Sequence, residues 1–170
     1  ITLEVFAFQF EHNIVYRKFC SLLNKNPQNV TDLEEIPFLP IQFFKSERIV
    51  SSAEKEEIIF TSSGTTGSKT SKHFVTDLSV YEKSFRKGFE YFYGNIEDYA
   101  VLALLPSYLE REGSSLIYMA EDFIKKSKNK HSGFYLNNFS ELKNKLIQLD
   151  SAGQKVLLVG VSFALLDLAE

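Results

Sequence analysis

Hydroxyls, glycines and two cations crowd one short stretch of the chain: Thr61-Ser62-Ser63-Gly64-Thr65-Thr66-Gly67-Ser68-Lys69-Thr70-Ser71-Lys72. Gly64 and Gly67 permit positive φ and let another group approach the backbone closely. Successive backbone N–H groups aimed into one concavity favour an anion. The serines and threonines add hydroxyl donors, and Lys69 and Lys72 add positive charge. A polyphosphate is the guest such a loop suits. The Walker pattern, G-x-x-x-x-G-K-[ST], does not describe it. Counted from Gly64, the second glycine of that pattern falls on Lys69, and Ser68 separates Gly67 from Lys69-Thr70. The competing reading is a Ser/Thr/Gly linker that holds no ligand.

The order Ser62-Ser63-Gly64-Thr65-Thr66-Gly67, entered from the apolar run Ile58-Ile59-Phe60, resembles the phosphate loop of the adenylate-forming enzymes. Many of those enzymes continue with Pro-Lys-Gly, where this chain has Lys69-Thr70-Ser71. In this it looks more like the phenylacetate–CoA ligase branch and the acyl-protein synthetases of bacterial luminescence. The segment Pro37-Phe38-Leu39-Pro40 with Phe44-Lys45-Ser46 resembles the stretch before the loop in those synthetases. So does Pro106-Ser107-Tyr108-Leu109 through Gly113-Ser114-Ser115. Gly160-Val161-Ser162 resembles the strand–turn–helix that follows in the superfamily, where a proline often stands at the position of Ser162.

The resemblance covers the N-terminal part of such an enzyme. It implies a ligase: ATP and a carboxylic acid, a fatty acid in this branch, give an acyl-adenylate and pyrophosphate, and the acyl group passes to a protein thiol. ATP and Mg²⁺ are the implied cofactors, with the metal ligands outside this chain. Ser62, Ser63, Gly64, Thr65, Thr66, Gly67, Lys69, Thr70 and Lys72 are the implied phosphate contacts, with Lys69 or Lys72 neutralising pyrophosphate as it leaves. Tyr108, Arg111, Gly113, Ser114, Gly160 and Ser162 are the implied lining of the acyl or nucleotide pocket. Capping of a helix by Ser114 or Ser115, and packing alone at Gly160, are equally open. No catalytic residue is assigned, because the family's mobile lysine and acceptor cysteine lie further along; Cys20 does not inherit that role. Fragment and whole are thus distinguished: this chain, which opens at Ile1 without a methionine, is expected to be part of a longer enzyme and inactive by itself. Two alternatives remain, a CoA ligase of the same superfamily and a non-catalytic acyl- or nucleotide-binding module.

The elements that must position these residues follow from periodicity. Apolar residues from Leu3 to Leu23 recur at helical spacing, with an interruption at His12-Asn13. Pro27, Pro37 and Pro40 make residues 24–57 an irregular arm whose apolar run, Ile36 to Phe44, must pack against something. Residues 77–93 read as a helix with Tyr81, Phe85, Phe89 and Phe92 inward and Arg86 and Lys87 in water. Ala100–Leu105 and Lys155–Gly160 read as buried strands and Gly133–Leu136 as a short one, with helices over 116–126, 138–149 and 161–170 between and after them. This alternation from Ile58 onward predicts an α/β fold with a largely parallel sheet flanked by helices. The expected division is a helix and proline-rich arm over residues 1–57 and an incomplete α/β subdomain over 58–170.

Composition sets the outer limits. The chain has 170 residues with 19 Lys and Arg against 22 Asp and Glu, a near-balance that argues against a nucleic-acid partner. Cys20 is the sole cysteine, so there is neither an internal disulfide nor a cysteine-rich metal site, and a cytoplasmic location is expected. No apolar run approaches the roughly 18 residues of a membrane span. His12 and His131 are expected at the surface.

Overall fold

The computed structural model describes residues 1–62, 70–105, 113–136 and 138–170. They form two compact units, Ile1–Leu78 and Ser79–Glu170. This division falls after the Ser/Thr/Gly loop, so the loop's flanks belong with the N-terminal arm.

The N-terminal unit begins with α1 (Thr2–His12) and α2 (Ile14–Leu22). Asn13 separates them. Its backbone is extended, at φ −105° and ψ 104°, and its Oδ1 accepts from the N–H of Tyr16 at 3.0 Å. An Asn side chain that caps the second helix is what breaks the first. The break also resets the apolar stripe: α2 buries Tyr16 and Cys20, while Ile14 and Leu22 face solvent. Phe6, Tyr16, Cys20 and Val30 form this unit's core, with Phe10, Phe19, Ile36 and Leu39 packed on it. The arm is pinned there by the Tyr16 hydroxyl, which donates to the carbonyl of Pro37 at 2.7 Å. A single turn, α3 (Phe43–Ser46), sets Phe43 edge-on against Phe19.

Next come β1 (Ile58–Thr61) and β2 (Lys72–Val75), paired antiparallel with Ile58 opposite Val75 and Thr61 opposite Lys72. The run at Ile58 was expected to start the parallel sheet. It makes a two-stranded ribbon of its own instead. Four-residue strands joined through a short polar loop can return by a hairpin, whereas parallel pairing needs a longer crossover.

The second unit holds the α/β layers. The helix α4 (Leu78–Tyr93) leads to β3 (Tyr99–Leu104), α5 (Ser115–Ser127), β4 (Gly133–Tyr135), α6 (Phe139–Ser151), β5 (Lys155–Gly160) and α7 (Ser162–Ala169). The three strands are parallel, in the order β4-β3-β5. Ala100–Leu105 is fully buried because both faces of the central strand are covered. Ala100, Leu102 and Leu104 meet Leu142 and Leu149 of α6 and Ala164 of α7. Val101 meets Phe89 of α4 and Phe123 of α5, and Ala103 and Leu105 meet Ala120 of α5. Alternation along one strand thus sorts the helices to the two faces. The described fold is mixed α/β with a small parallel sheet between helices.

Two packing expectations are corrected. Arg86 is not left in water: it bridges Glu82 at 2.9 Å and Asp122 at 2.5 Å, tying α4 to α5. Phe92 is 75% exposed, because the last turn of α4 runs past the core that takes Phe85 and Phe89.

Candidate functional site

The Ser/Thr/Gly sequence links β1 to β2. Ser62 and Ser71 close its neck: the N–H of Ser62 donates to the carbonyl of Ser71 at 3.1 Å, and the N–H of Ser71 donates to Oγ of Ser62 at 3.0 Å. The far end of the ribbon is also tied. The N–H of Glu57 donates to the carbonyl of Val75 at 2.8 Å, and Glu57 Oε2 accepts from the N–H of Leu78 at 3.0 Å. Phe60 anchors β1 from below at 7% exposure. The ends of the loop are therefore fixed by paired backbone. Ser63, Gly64, Thr65, Thr66, Gly67 and Lys69 lie outside the described residues.

Beside the neck is a basic cleft of about 360 Å³ lined by Phe44, Lys45, Ser46, Glu47, Arg48, Thr70, Lys72 and Phe74. It gathers Thr70 and Lys72, both expected from the sequence, with Lys45 and Arg48, which were not. Arg48 is committed to structure. Its guanidinium lies 5.5 Å from the centre of the Phe74 ring and pairs with Glu56 at 2.9 Å, which holds that carboxyl below the usual range. Lys45 and Lys72 have no ion-pair partner among the described residues. His73 stacks on Phe44 at 6.1 Å and 22°. The cleft offers the Lys45 and Lys72 ammonium groups, without an ion-pair partner among the described residues, beside the Thr70 hydroxyl, which suits an anion.

The remaining sequence candidates fall in the second unit. Tyr108 and Arg111 lie outside the described residues. Gly113 has φ +80°, a conformation that glycine adopts without strain, and it turns the chain into α5. Ser114 caps that helix, its Oγ accepting from the N–H of Ile117 at 3.3 Å. Gly160 is opposite Leu104 in the β3–β5 register, and Ser162 is the exposed first residue of α7. The segments after β3 and β5 therefore leave the same, carboxyl end of the sheet, where open α/β sheets place ligands. Gly160 also has a packing reason: a Cβ there would stand 2.8 Å from the Leu165 side chain and 3.2 Å from the Leu104 carbonyl.

Cys20 is wholly buried, and burial pushes its thiol pKa up, so it is no nucleophile. Among the described residues no group of three or more His, Cys, Asp and Glu is placed to hold a metal ion, and no helix is long and apolar enough to cross a membrane.

These features define a mixed α/β protein with a three-stranded parallel sheet and, in its N-terminal unit, a β1–β2 ribbon beside a basic cleft. The chain belongs to the acyl-protein synthetase family LuxE, whose family model matches residues 1–91. That match includes the arm, the loop and most of α4. A stretch of 71 residues is 38% identical to the long-chain-fatty-acid–luciferin-component ligase of Photorhabdus luminescens, covering 41% of this chain and 60% of that relative. No solved structure matches the chain.

Proposed function

We propose that this chain is the phosphate-handling part of an ATP-dependent ligase that activates a long-chain fatty acid and passes the acyl group to a protein thiol. The observation that carries the reading is the Ser/Thr/Gly sequence whose flanks, Ser62 and Ser71, are joined by hydrogen bonds, with Lys72 and Lys45 beside them and without an ion-pair partner among the described residues. Family membership supplies the reaction class and a protein as acyl acceptor, and the name of the Photorhabdus relative supplies a long-chain fatty acid and a luciferin component. The adenylate-forming fold belongs to this proposal as well.

Bound ATP would supply the adenylyl group that turns a carboxylate into a reactive mixed anhydride. The chain's own share is binding and charge stabilisation. Backbone N–H groups from Ser63 to Gly67 donate to phosphate oxygens, and the hydroxyls of Ser62, Thr65, Thr66 and Thr70 add directional bonds. Lys72, with Lys69, balances the charge that grows on the departing pyrophosphate. A preorganised donor aimed at developing charge contributes roughly 3 or 4 kcal/mol to such a step. Mg²⁺ accompanies the nucleotide, and no ligand to it is assigned in this chain.

The test is carboxylate-dependent ATP–pyrophosphate exchange by the full-length protein. Gly67→Val closes the space a phosphate needs, and Thr66→Val removes a donor while keeping shape. Exchange is expected to fall at least a hundredfold in the first and tenfold or more in the second, with Lys72→Ala between them. Undiminished exchange in all three overturns the phosphate role.

A further inference from the structure

The N-terminal unit contains a second cavity, and its chemistry is the opposite of the basic cleft's. An open apolar cleft of about 510 Å³ lies between α1, Tyr16 and the arm, with Val5, Phe6, Ile36, Phe38, Leu39 and Phe44 among its walls. No lysine, arginine, aspartate or glutamate lines it. Phe44 is the wall it shares with the basic cleft. Phe44 thus borders both an apolar cleft and a cleft lined by Lys45, Thr70 and Lys72.

An uncharged polar ligand would find few partners in the first cleft, and a bare alkane would leave the second unused. The ligand that satisfies both is amphipathic and anionic. The cleft's 510 Å³, walled by aliphatic and aromatic side chains, suits an alkyl chain. This is also within the roughly 300–1,000 Å³ of small-molecule sites. Charge fixes the orientation: Lys45, Arg48 and Lys72 against Glu47 alone line the cleft, and Arg48 is already paired.

We propose that a long-chain carboxylate lies across Phe44, its alkyl chain in the apolar cleft of the N-terminal unit and its carboxylate toward Lys45 and Lys72. The inference rests on the ligase reading for the identity of the acid. It places the chain in the arm before the loop rather than at the Tyr108–Ser114 and Gly160–Ser162 segments. It also brings the carboxylate to the loop's own neck, since Thr70 and Lys72 line that cleft.

The test is calorimetric titration of the 170-residue chain with the saturated carboxylates from octanoate to tetradecanoate, and with dodecanol as an uncharged probe. Affinity is expected to rise about three- to fourfold per methylene, the fold-change for burying one CH₂ group. Val5→Trp fills the apolar cleft from a position that is 52% exposed, so the fold is not at stake; it should weaken dodecanoate at least tenfold. Lys45→Glu, at an exposed site, should weaken dodecanoate several-fold and leave dodecanol unchanged. Wild-type affinity in Val5→Trp, or affinity independent of chain length, overturns the proposal. So does a chain that binds no acid but self-associates in sedimentation until Val5→Trp blocks it, because the occupant is then a second copy. Exchange by the full-length protein separates the two readings. Normal exchange with a normal KM for the acid in full-length Val5→Trp removes this site and leaves the ligase. Absent exchange in the unaltered protein, with the chain-length series intact, removes the ligase and leaves a fatty-acid site.

Discussion

At the scale of single residues, the neighbours of the loop carry as much charge as the loop itself. Lys45 and Arg48 sit in an irregular arm well before it in sequence, and only the fold brings them to Thr70 and Lys72. Nothing in their local spacing marks them, since exposed Lys and Arg are common on any arm; the arm's apolar anchors, Phe43 and Phe44, were the available clue that Lys45 would be held in place. Gly160 is the reverse case, a sequence candidate for ligand contact with a packing role in view. If packing is its role, Gly160→Ala forces the Leu165 side chain to move and costs on the order of 1–3 kcal/mol, read as a lower urea midpoint. Its affinity for dodecanoate should equal the wild type's. A variant of normal stability that loses affinity for the acid or a nucleotide would return Gly160 to the site.

At the scale of elements, most helices and strands were legible because their periods are strong. Ala100–Leu105 reads as a strand buried on both faces and is one. The pairing of Ile58–Thr61 was not legible, because a short apolar strand looks the same in a ribbon and in a parallel sheet. What decided it lies across the loop, in the Lys72–Val75 strand, whose pattern of Lys, His, Phe and Val is too short to announce a partner. The break between α1 and α2 was legible, since Asn is a capping residue and His12-Asn13 interrupts an apolar period. It makes a direct test of that logic. Asn13→Ala removes the oxygen that accepts from Tyr16 and should cost about 1 kcal/mol, whereas Asn13→Asp keeps a capping oxygen and should be near neutral. Equal losses in the two, measured by urea unfolding, would show that Asn13 acts through burial rather than through the cap.

At the scale of the whole molecule, tyrosines in both units set the response to alkali. Tyr16 in the first unit and Tyr81 and Tyr135 in the second have raised pKa values, chiefly through burial. Tyr118 is pushed up to about 12, first by donating a hydrogen bond of 2.6 Å to Glu82, whose charge resists a second anion beside it. In each case the folded protein keeps a proton that an unfolded tyrosine releases near pH 10.0. Their contribution is therefore complete below pH 10 and is lost as pH rises through the folded values, with Tyr118 spending its share between 10 and about 12. On the acid side Glu35, held down by the N–H of Thr31 and by Lys25, and Glu56, held down by Arg48, act in the other direction. Their contribution is present above 4.5 and fades as pH falls, and both remain partly open to solvent, so screening keeps it small. The urea midpoint should accordingly begin to decline from about pH 9.0, where the buried Cys20 thiol resists ionisation, fall steeply above pH 10, and decline on the acid side from about pH 6.5, where His131, its pKa lowered by burial, resists protonation. Tyr118→Phe should lower the midpoint at neutral pH by the loss of one hydrogen bond, about 1 kcal/mol, and then decline less steeply than the wild type between pH 10 and 12. Parallel decline of the two proteins would mean that the Tyr118–Glu82 bond does not hold the proton and that the buried rings and thiol alone carry the alkaline response.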